Sequence, residues 1–178
     1  MHSCEAGDPA GLAIRDGTPD DIGALQALIL EHGPNRWNHL PVDEVRTHVA
    51  GIADDRTGAV VTEAGSAIVA VVTYEATDAF ERYQPSARAG VAQGHVCEAV
   101  VHRDHVGRGI GARLLRAAVA RLQALGCVDI YIERHEQNAA SAGMMRKAGF
   151  IVVDSFADPA RRAHGSGRTT VCRMQCAC

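Results

Sequence analysis

The chain has 178 residues, 47% of them hydrophobic, and a formal net charge of -3 at pH 7. This length is typical of one domain with a substantial core, and the negative charge argues against a nucleic-acid-binding surface. The first eleven residues are polar and acidic, unlike a signal peptide, and no apolar run approaches the ~20 residues that cross a membrane. We therefore expect a cytoplasmic protein with no membrane or nucleic-acid partner, a flexible N-terminus at residues 1–11 and a single domain at residues 12–175.

Six cysteines raise the question of disulfides or a zinc site. Cys97 and Cys127 lie in apolar strand patterns, which predicts small core residues. Cys172, Cys176 and Cys178 are close together, but their C-x-x-x-C-x-C spacing lacks the paired C-x-x-C of structural zinc sites. We predict reduced thiols and no metal site.

The first half of the chain predicts one strand, two helices and a hairpin, followed by an irregular segment. Thr18 followed by proline and two acidic residues is a typical helix start. Apolar runs on either side of a Gly-containing turn indicate the hairpin. In order, the predicted elements are a strand at residues 12–15, a helix from Thr18, a loop at 33–41, a helix from Val42, hairpin strands at 59–63 and 67–74, and an irregular segment at 77–94.

A glycine-rich loop between a strand and a helix is the most informative part of the sequence. The strand covers residues 94–101, and glycines at 107, 109 and 111 lead into a helix with one apolar face, which Gly126 ends. Unshielded backbone N–H groups at the positive end of a helix dipole bind anions such as a diphosphate. The loop therefore predicts either a phosphate cradle or a tight turn that merely uses three glycines.

Two well-known phosphate loops fit this segment poorly. A Walker loop requires Gly-Lys followed by Ser or Thr, and the loop contains no lysine. The dinucleotide fingerprint requires Gly-x-Gly-x-x-Gly directly after a strand, whereas this chain has Gly-x-Gly-x-Gly after a polar turn at residues 102–105. Neither of these loops is predicted.

A second pattern follows the glycine-rich loop. Asn138 is the predicted N-cap of a short helix that ends at Gly149-Phe150. The remaining predicted elements are a strand at residues 127–133, this helix at 139–148, and closing strands at 150–156 and 169–174.

The two patterns together resemble the GNAT acetyltransferases. Residues 106–115, Val-Gly-Arg-Gly-Ile-Gly-Ala-Arg-Leu-Leu, are similar to motif A of that family, Arg/Gln-x-x-Gly-x-Gly/Ala, and Asn138 with Gly149-Phe150 is similar to motif B. Val106 stands where Arg or Gln is usual, from which we expect weaker but not absent cofactor binding. The resemblance spans residues 12–175 and implies the GNAT fold. That fold is of the α/β (α+β) class, with a mixed, mostly antiparallel sheet of six to seven strands, splayed between strands 4 and 5 and flanked by about four helices.

The resemblance also implies that acetyl-CoA is the cofactor. Its pantetheine arm would lie between the splayed strands, held by backbone groups of the fourth strand and by Asn138, and its diphosphate would bind the motif A amides. The residues implied in cofactor binding are Val100, Val101, His102, Val106, Gly107, Arg108, Gly109, Ile110, Gly111, Ala112, Asn138 and Ser141.

Transfer of an acetyl group to an amine benefits from a base, because an alkyl amine of pKa about 10.4 is almost entirely protonated at pH 7. The sequence leaves three candidates open. His95 occupies a strand-four position where many family members carry an acidic or histidine base, and Glu98 lies nearer the splay. Glu133 matches the strand-five glutamate of ribosomal-protein N-terminal acetyltransferases. Each residue is also compatible with a purely structural role.

The general acid is the point where the chain departs from the family. Many members place a tyrosine seven residues after the motif B asparagine, and Met145 occupies that place here. Activity remains compatible with this change, because a thiol of pKa about 8.5 is a tolerable leaving group. Tyr131, Tyr74 or water is the alternative proton donor.

The resulting hypothesis is an acetyl-CoA-dependent N-acetyltransferase that acts on the primary amine of a small molecule. Trp37, His39 and Glu75 are the predicted substrate-binding residues. Two alternatives stay open: N-terminal acetylation of a protein, which Glu133 favours, and a non-catalytic acyl-CoA sensor, which Val106 and Met145 favour. Family tendency further implies a homodimer.

Overall fold

The computed structural model describes residues 11–174 of the chain. The predicted flexible segment, except for its last residue, and the two final cysteines lie outside this range. The strands are β1 (Leu12–Asp16), β2 (Gly58–Ala64), β3 (Ala67–Thr77), β4 (Gln93–Val101), β5 (Ile130–His135), β6 (Phe150–Ala157) and β7 (Arg168–Met174). The helices are α1 (Ile22–His32), α2 (Val42–Ala50), α3 (Ile110–Ala124) and α4 (Ala139–Ala148).

One sheet of seven strands has the order β1-β2-β3-β4-β5-β7-β6. Every neighbouring pair is antiparallel except β4 and β5, which are parallel. The predicted fold class, a mixed and mostly antiparallel sheet flanked by four helices, is confirmed.

The parallel pair separates after only three residues. Gly94, His95 and Val96 of β4 pair with Ile130, Tyr131 and Ile132 of β5, and no further pair of these strands follows within residues 11–174. The second half of β4 therefore has a strand neighbour, β3, on one edge only.

A β-bulge in β4 lies at this point of separation. The pairing of β3 with β4 shifts between Val72 and Tyr74, so that Thr73 faces both Cys97 and Glu98. Val96 and Ala99 accordingly pack in the same hydrophobic cluster, although residues three apart on a regular strand point to opposite faces. A bulge bends its strand and increases the local twist, which turns β4 away from β5.

Two hydrophobic clusters hold the helices against the two faces of the sheet. On one face, Leu114, Leu115 and Leu122 of α3 are fully buried together with residues of β3 to β5 and α4. On the other face, Leu25 and Ile29 of α1 and further residues of α2 pack against β2 and β3. The apolar face predicted for the helix after the glycine-rich loop is the buried face of α3.

The predicted starts of one strand and one helix are wrong. β5 begins at Ile130 rather than Cys127, because Asp129 belongs to the preceding turn. The Asp129 carboxylate accepts two hydrogen bonds of 2.7 Å from Arg88, and its carbonyl accepts one from the Gly94 N–H. The first helix begins at Ile22 after a 3₁₀ turn, Pro19–Asp21, rather than directly after Thr18. Within the described range, no helix is both long and apolar enough to cross a membrane.

Candidate active site

The separation of β4 and β5 opens a cleft of about 940 Å³. Its walls are the second half of β4, residues 132–135, and the N-terminal ends of α3 and α4. The loop at residues 33–41 and part of the β6–β7 connection close its outer side. This volume is typical of a small-molecule or cofactor site.

The N-terminus of α3 forms one end of the cleft. Gly107 and Gly109 have φ angles of 79° and 75°, a left-handed conformation that other residues adopt only with strain. Apart from chain neighbours, no atom lies within 4 Å of where a Cβ would stand on either glycine. The first amides of a helix have no intrahelical acceptor and lie at its positive end. The loop therefore has the open, donor-rich shape of an anion cradle.

The exposed edge of β4 supplies further backbone groups. The N–H of His102 donates to the carbonyl of Val69 at 2.8 Å and is therefore directed towards β3. Because successive strand residues direct their polar groups to alternate edges, the N–H and C=O of Val101 face the cleft. Across the cleft, the Asn138 side chain accepts a hydrogen bond of 3.1 Å from the Ser141 N–H and so caps α4.

Glu98 lies at the bulge, on the floor of the cleft. Its backbone N–H donates to the Thr73 hydroxyl at 3.1 Å, which fixes the strand at this residue. Burial raises the pKa of Glu98 to about 7, and the nearby Arg162 guanidinium only partly opposes this rise. A carboxyl group with this pKa exchanges protons readily at neutral pH.

Glu75 and His95 lie beside one another on the same floor. The Nδ1 atom of His95 is 3.5 Å from Glu75 Oε1 and 3.5 Å from Cys97 Sγ. The hydrogen bond with His95 lowers the pKa of Glu75, against the effect of burial. Burial and the carboxylates of Glu75 and Glu98 raise the pKa of the Cys97 thiol. Cys97 is thus a cleft residue, and its predicted role as a core residue is wrong.

Two arginines of the β6–β7 connection face the glutamates of the cleft. Arg161 forms an ion pair of 2.7 Å with Glu133, which raises the pKa of Arg161. Arg162 donates from Nε to the Thr169 hydroxyl at 2.9 Å, and its terminal nitrogens form no hydrogen bond with a residue in the described part of the chain. Burial and the neighbouring Arg161 lower the pKa of Arg162, but an arginine stays charged.

Trp37 and His135 close the outer side of the cleft. Their ring centroids are 4.6 Å apart. His135 accepts a hydrogen bond from the Gln137 N–H at Nδ1, which assigns the ring proton to Nε2, 2.7 Å from the His164 carbonyl. A Cβ on Gly165 would stand 2.7 Å from Trp37, so the indole packs directly on the β6–β7 backbone.

The cleft thus has a glycine-rich loop before α3, strands β4 and β5 that separate, and an asparagine cap on α4. A comparison of the sequence with family models agrees with these features. Residues 22–150 match the model of the acetyltransferase (GNAT) family. The chain belongs to the GNAT acetyltransferase family. The predictions of this family, of an acyltransferase and of acetyl-CoA as its cofactor are confirmed.

Two relatives with a named activity share about a quarter of their aligned residues with this chain. The L-methionine sulfoximine/L-methionine sulfone acetyltransferase of Pseudomonas paraeruginosa is 27% identical over 146 residues, which cover 79% of this GNAT chain and 80% of that protein. The protein of the same name from Pseudomonas aeruginosa is 26% identical over the same shares of each chain.

Solved structures share the fold at low identity. Arabidopsis thaliana NAA60 in complex with acetyl-CoA has a TM-score of 0.72 and 12% identity, over 91% of this chain and 97% of that one. The yncA protein of Salmonella typhimurium with acetyl-CoA has a TM-score of 0.67 and 18% identity, over 92% and 93%.

The cleft of this GNAT protein fits the cofactor. A Cβ at Gly107 or Gly109 would project into open space where a diphosphate needs room, and the adjoining edge of β4 lacks a strand neighbour within residues 11–174. Val106 is exposed, so its change from Arg or Gln removes a side chain without blocking the backbone.

No tyrosine lines the cleft among the residues that the structure describes, which include all three tyrosines. Tyr131 and Tyr74 are buried in the core, so neither is placed to give a proton to the departing sulfur. Met145 lines the cleft at the position of the usual acid. The two suggested tyrosine substitutes are therefore wrong, and water as the donor stays a prediction.

The structure brings almost all predicted site residues into one cleft. The three candidate bases and the three predicted substrate-binding residues all line it, as does the predicted cofactor set except His102 and Arg108. His102 directs its N–H to β3, and Arg108 projects to the surface, where it lies 3.5 Å from the Asp104 carbonyl; their roles stay predictions. His48, Cys97 and Arg162 were missed, since nothing local in the sequence marks them. The cytoplasmic location and the homodimer stay predictions.

Proposed function

We propose that this protein is an acetyl-CoA-dependent N-acetyltransferase that modifies the primary amine of a small molecule carrying an anionic group. One observation carries the proposal: a carboxyl group with a pKa of about 7, Glu98, stands at the floor of the cleft whose end is the amide-lined N-terminus of α3. The two features supply the two needs of the reaction, a place for the cofactor and a base near neutral pH.

The chain's own groups suit both parts of the cofactor. The amides of residues 107–112 would hold the diphosphate, and the cleft-facing backbone of Val101 would hold the pantetheine arm. Asn138 would bind the arm from α4 through its amide nitrogen, because its oxygen already caps the helix. When bound, acetyl-CoA supplies the acetyl group as an activated thioester.

Glu98 is the base that the geometry favours. Its carboxylate would accept the proton that the acceptor ammonium must lose before the nitrogen can attack, in a ternary complex of enzyme, cofactor and amine. Glu133 is less suited, because one of its oxygens is committed to Arg161. His95 shares its Nδ1 with the Glu75 and Cys97 side chains, and remains the second candidate.

Arg162 favours an acceptor that carries a carboxylate or another anion beside its amine. The guanidinium is part-buried, lines the cleft near Glu98 and offers terminal donors to a ligand, and arginine binds carboxylates in a bidentate fashion. The two Pseudomonas relatives are named for L-methionine derivatives, which are amines with an adjacent carboxylate. An amino-acid analogue is therefore the proposed class of acceptor.

The proposal is tested by following free-thiol release from acetyl-CoA with a panel of amines. L-Methionine sulfoximine, L-methionine sulfone, their decarboxylated counterparts and a short peptide with a free N-terminus form the panel. We expect turnover of the carboxylated amines, and a rise of KM of about tenfold or more for them in Arg162→Met, since one charge-assisted contact contributes about 1.5–3 kcal/mol.

The decarboxylated amines are the control, because Arg162→Met should leave their KM unchanged. Turnover of the peptide alone would instead support N-terminal acetylation. Calorimetric binding of acetyl-CoA without turnover of any amine would support the sensor, and absence of binding would contradict both enzyme and sensor.

A further inference from the structure

The floor of the cleft carries more metal-ligating side chains than a proton transfer requires. His48 of α2, Glu75 of β3 and Cys97 of β4 each offer one ligand atom, and these three atoms lie within 4.8 Å of one another. They come from three separate elements, all of which line the cleft. An ion arriving through the cleft can therefore reach them.

His95 lies beside this group, although its ring nitrogens are not among the atoms that all lie within 4.8 Å of one another. Its Nδ1 atom is 3.5 Å from Glu75 Oε1 and 3.5 Å from Cys97 Sγ. Tetrahedral zinc with its usual bond lengths places neighbouring nitrogen and oxygen ligands about 3.4 Å apart, and nitrogen and sulfur ligands about 3.6 Å apart. These two edges of a zinc tetrahedron are thus already formed by the protein.

The kinds of ligand indicate the metal. A thiolate, imidazoles and one carboxylate suit zinc, whereas magnesium and calcium prefer oxygen ligands. We propose that His48, Glu75, His95 and Cys97 form a Zn²⁺ site on the floor of the cleft.

The surroundings hold these ligands in place. Thr73 is fully buried between them on β3, and its hydroxyl is 2.9 Å from His48 Nε2 and accepts the Glu98 N–H. Hydrogen bonds of this kind orient ligating histidines. Three of the ligands lie on paired strands, so zinc binding needs only side-chain adjustment and release of the thiol proton.

Zinc at this site inhibits the enzyme, a consequence that rests on the proposed function. The ion occupies Glu75 and His95 and stands next to Glu98, so it fills the place where the amine must give up its proton. Inhibition is therefore competitive with the amine and not with acetyl-CoA.

The test measures metal binding directly, without cofactor or amine. The 178-residue chain carrying Cys4→Ser, Cys176→Ser and Cys178→Ser serves as the parent, so that these thiols do not compete. Co²⁺ is titrated as the optical probe and then displaced with Zn²⁺. We expect one equivalent of Co²⁺ to bind with a thiolate charge-transfer band, and Zn²⁺ to abolish it.

Variants of the parent identify the site. Cys97→Ser should abolish the band, and His48→Gln should weaken Co²⁺ binding at least tenfold while retaining a band. Cys127→Ala, which removes a buried thiol outside the cleft, should leave both unchanged. No binding by the parent, or a band that survives Cys97→Ser, would overturn the site.

Inhibition is measured separately with an active acceptor. Zn²⁺ should raise the amine KM of the parent but not that of Cys97→Ser. Metal binding without inhibition would overturn the inhibitory role alone, whereas an enzyme inactive on every amine but able to bind Co²⁺ would overturn only the proposed function.

Discussion

Glu98 and Glu133 look alike in the sequence, since each follows an apolar run in a strand, but the structure gives them different neighbours. Glu133 pairs with Arg161 at 2.7 Å. Glu98 is placed by the bulge against the cleft floor, where burial raises its pKa to about 7. The choice between them was not available from the sequence, because it depends on which loop reaches each strand.

Replacing Glu98 by glutamine tests the base. We expect kcat/KM of Glu98→Gln to fall about 100-fold or more, the usual contribution of a positioned base. The rate of the native enzyme should rise with pH through about 7, as Glu98 loses its proton, and this inflection should be absent from the variant. The measurement is the pH profile of kcat/KM with one active amine.

The same substitution should lower activity but raise the stability of the protein above pH 7. Above pH 7 the native carboxylate is charged in a part-buried place, so the glutamine variant should have a free energy of unfolding larger by about 1–3 kcal/mol. Below about pH 4 the native residue is neutral in both folded and unfolded states, and the difference should vanish. Glu133→Gln is the control: a pH inflection lost in this variant and kept in Glu98→Gln would contradict the assignment.

Cys97 shows why single residues of the site were misjudged. In the sequence it sits between valine and glutamate in an apolar strand, a pattern typical of a core residue. Its side chain lies on the same face as that of His95, two residues before it, and the bulge opposite Thr73 adds Glu98 to this cleft face. A bulge depends on the pairing with another strand, so the local pattern does not encode it.

At the scale of elements, the sequence was most informative where a local signal fixes the backbone. The helix at residues 139–148 was predicted with the observed bounds, since an asparagine cap precedes it and a glycine with a φ of 106° follows it. The start of β5 was misplaced, because the turn before it depends on Arg88, a residue about forty positions away. Local capping is encoded locally, and long-range ion pairs are not.

The loop before α3 supports a test of cofactor binding at this scale. Gly109→Ala keeps the helix but places a methyl group in the open cradle and strains a left-handed residue by about 1–2 kcal/mol. We expect its Kd for coenzyme A, measured by calorimetry, to rise about tenfold or more. The cause is both the lost space and the distorted amides.

Gly90→Ala is the matched control for this substitution. Gly90 has a φ of 80°, equally open surroundings, and a position outside the main cleft. It should lower the melting temperature to a similar extent while leaving coenzyme A binding unchanged. Equal losses of affinity in both variants would show that strain, and not the cradle, is responsible.

At the scale of the whole molecule, the cleft combines two parts that differ in how well the sequence predicted them. The cofactor side is built from consecutive residues of one strand, loop and helix, so the motif located it. The acceptor side combines α2, β3 and two loops far apart in the chain. His48 and Arg162 therefore reach the cleft through the packing of the complete sheet and had no signal of their own.

Trp37 joins the two loops that close the acceptor side. Its ring packs on His135 and directly on the backbone at Gly165, while His135 holds the β6–β7 loop through the His164 carbonyl. Removing the indole should leave the cofactor cradle intact, because the cradle lies on α3. It should loosen the wall against which the acceptor binds.

We therefore expect Trp37→Ala to raise the KM for the amine by up to about tenfold, in line with the roughly 0.5–1.5 kcal/mol of an aromatic contact, with the KM for acetyl-CoA nearly unchanged. Arg36→Ala is the control, since Arg36 is exposed and its guanidinium stacks on the same indole at 4.6 Å; its effect should be less than about fourfold. Initial-rate kinetics with each substrate varied in turn separates the two constants. If both constants rise together in Trp37→Ala, the tryptophan supports the whole cleft and not the acceptor wall alone.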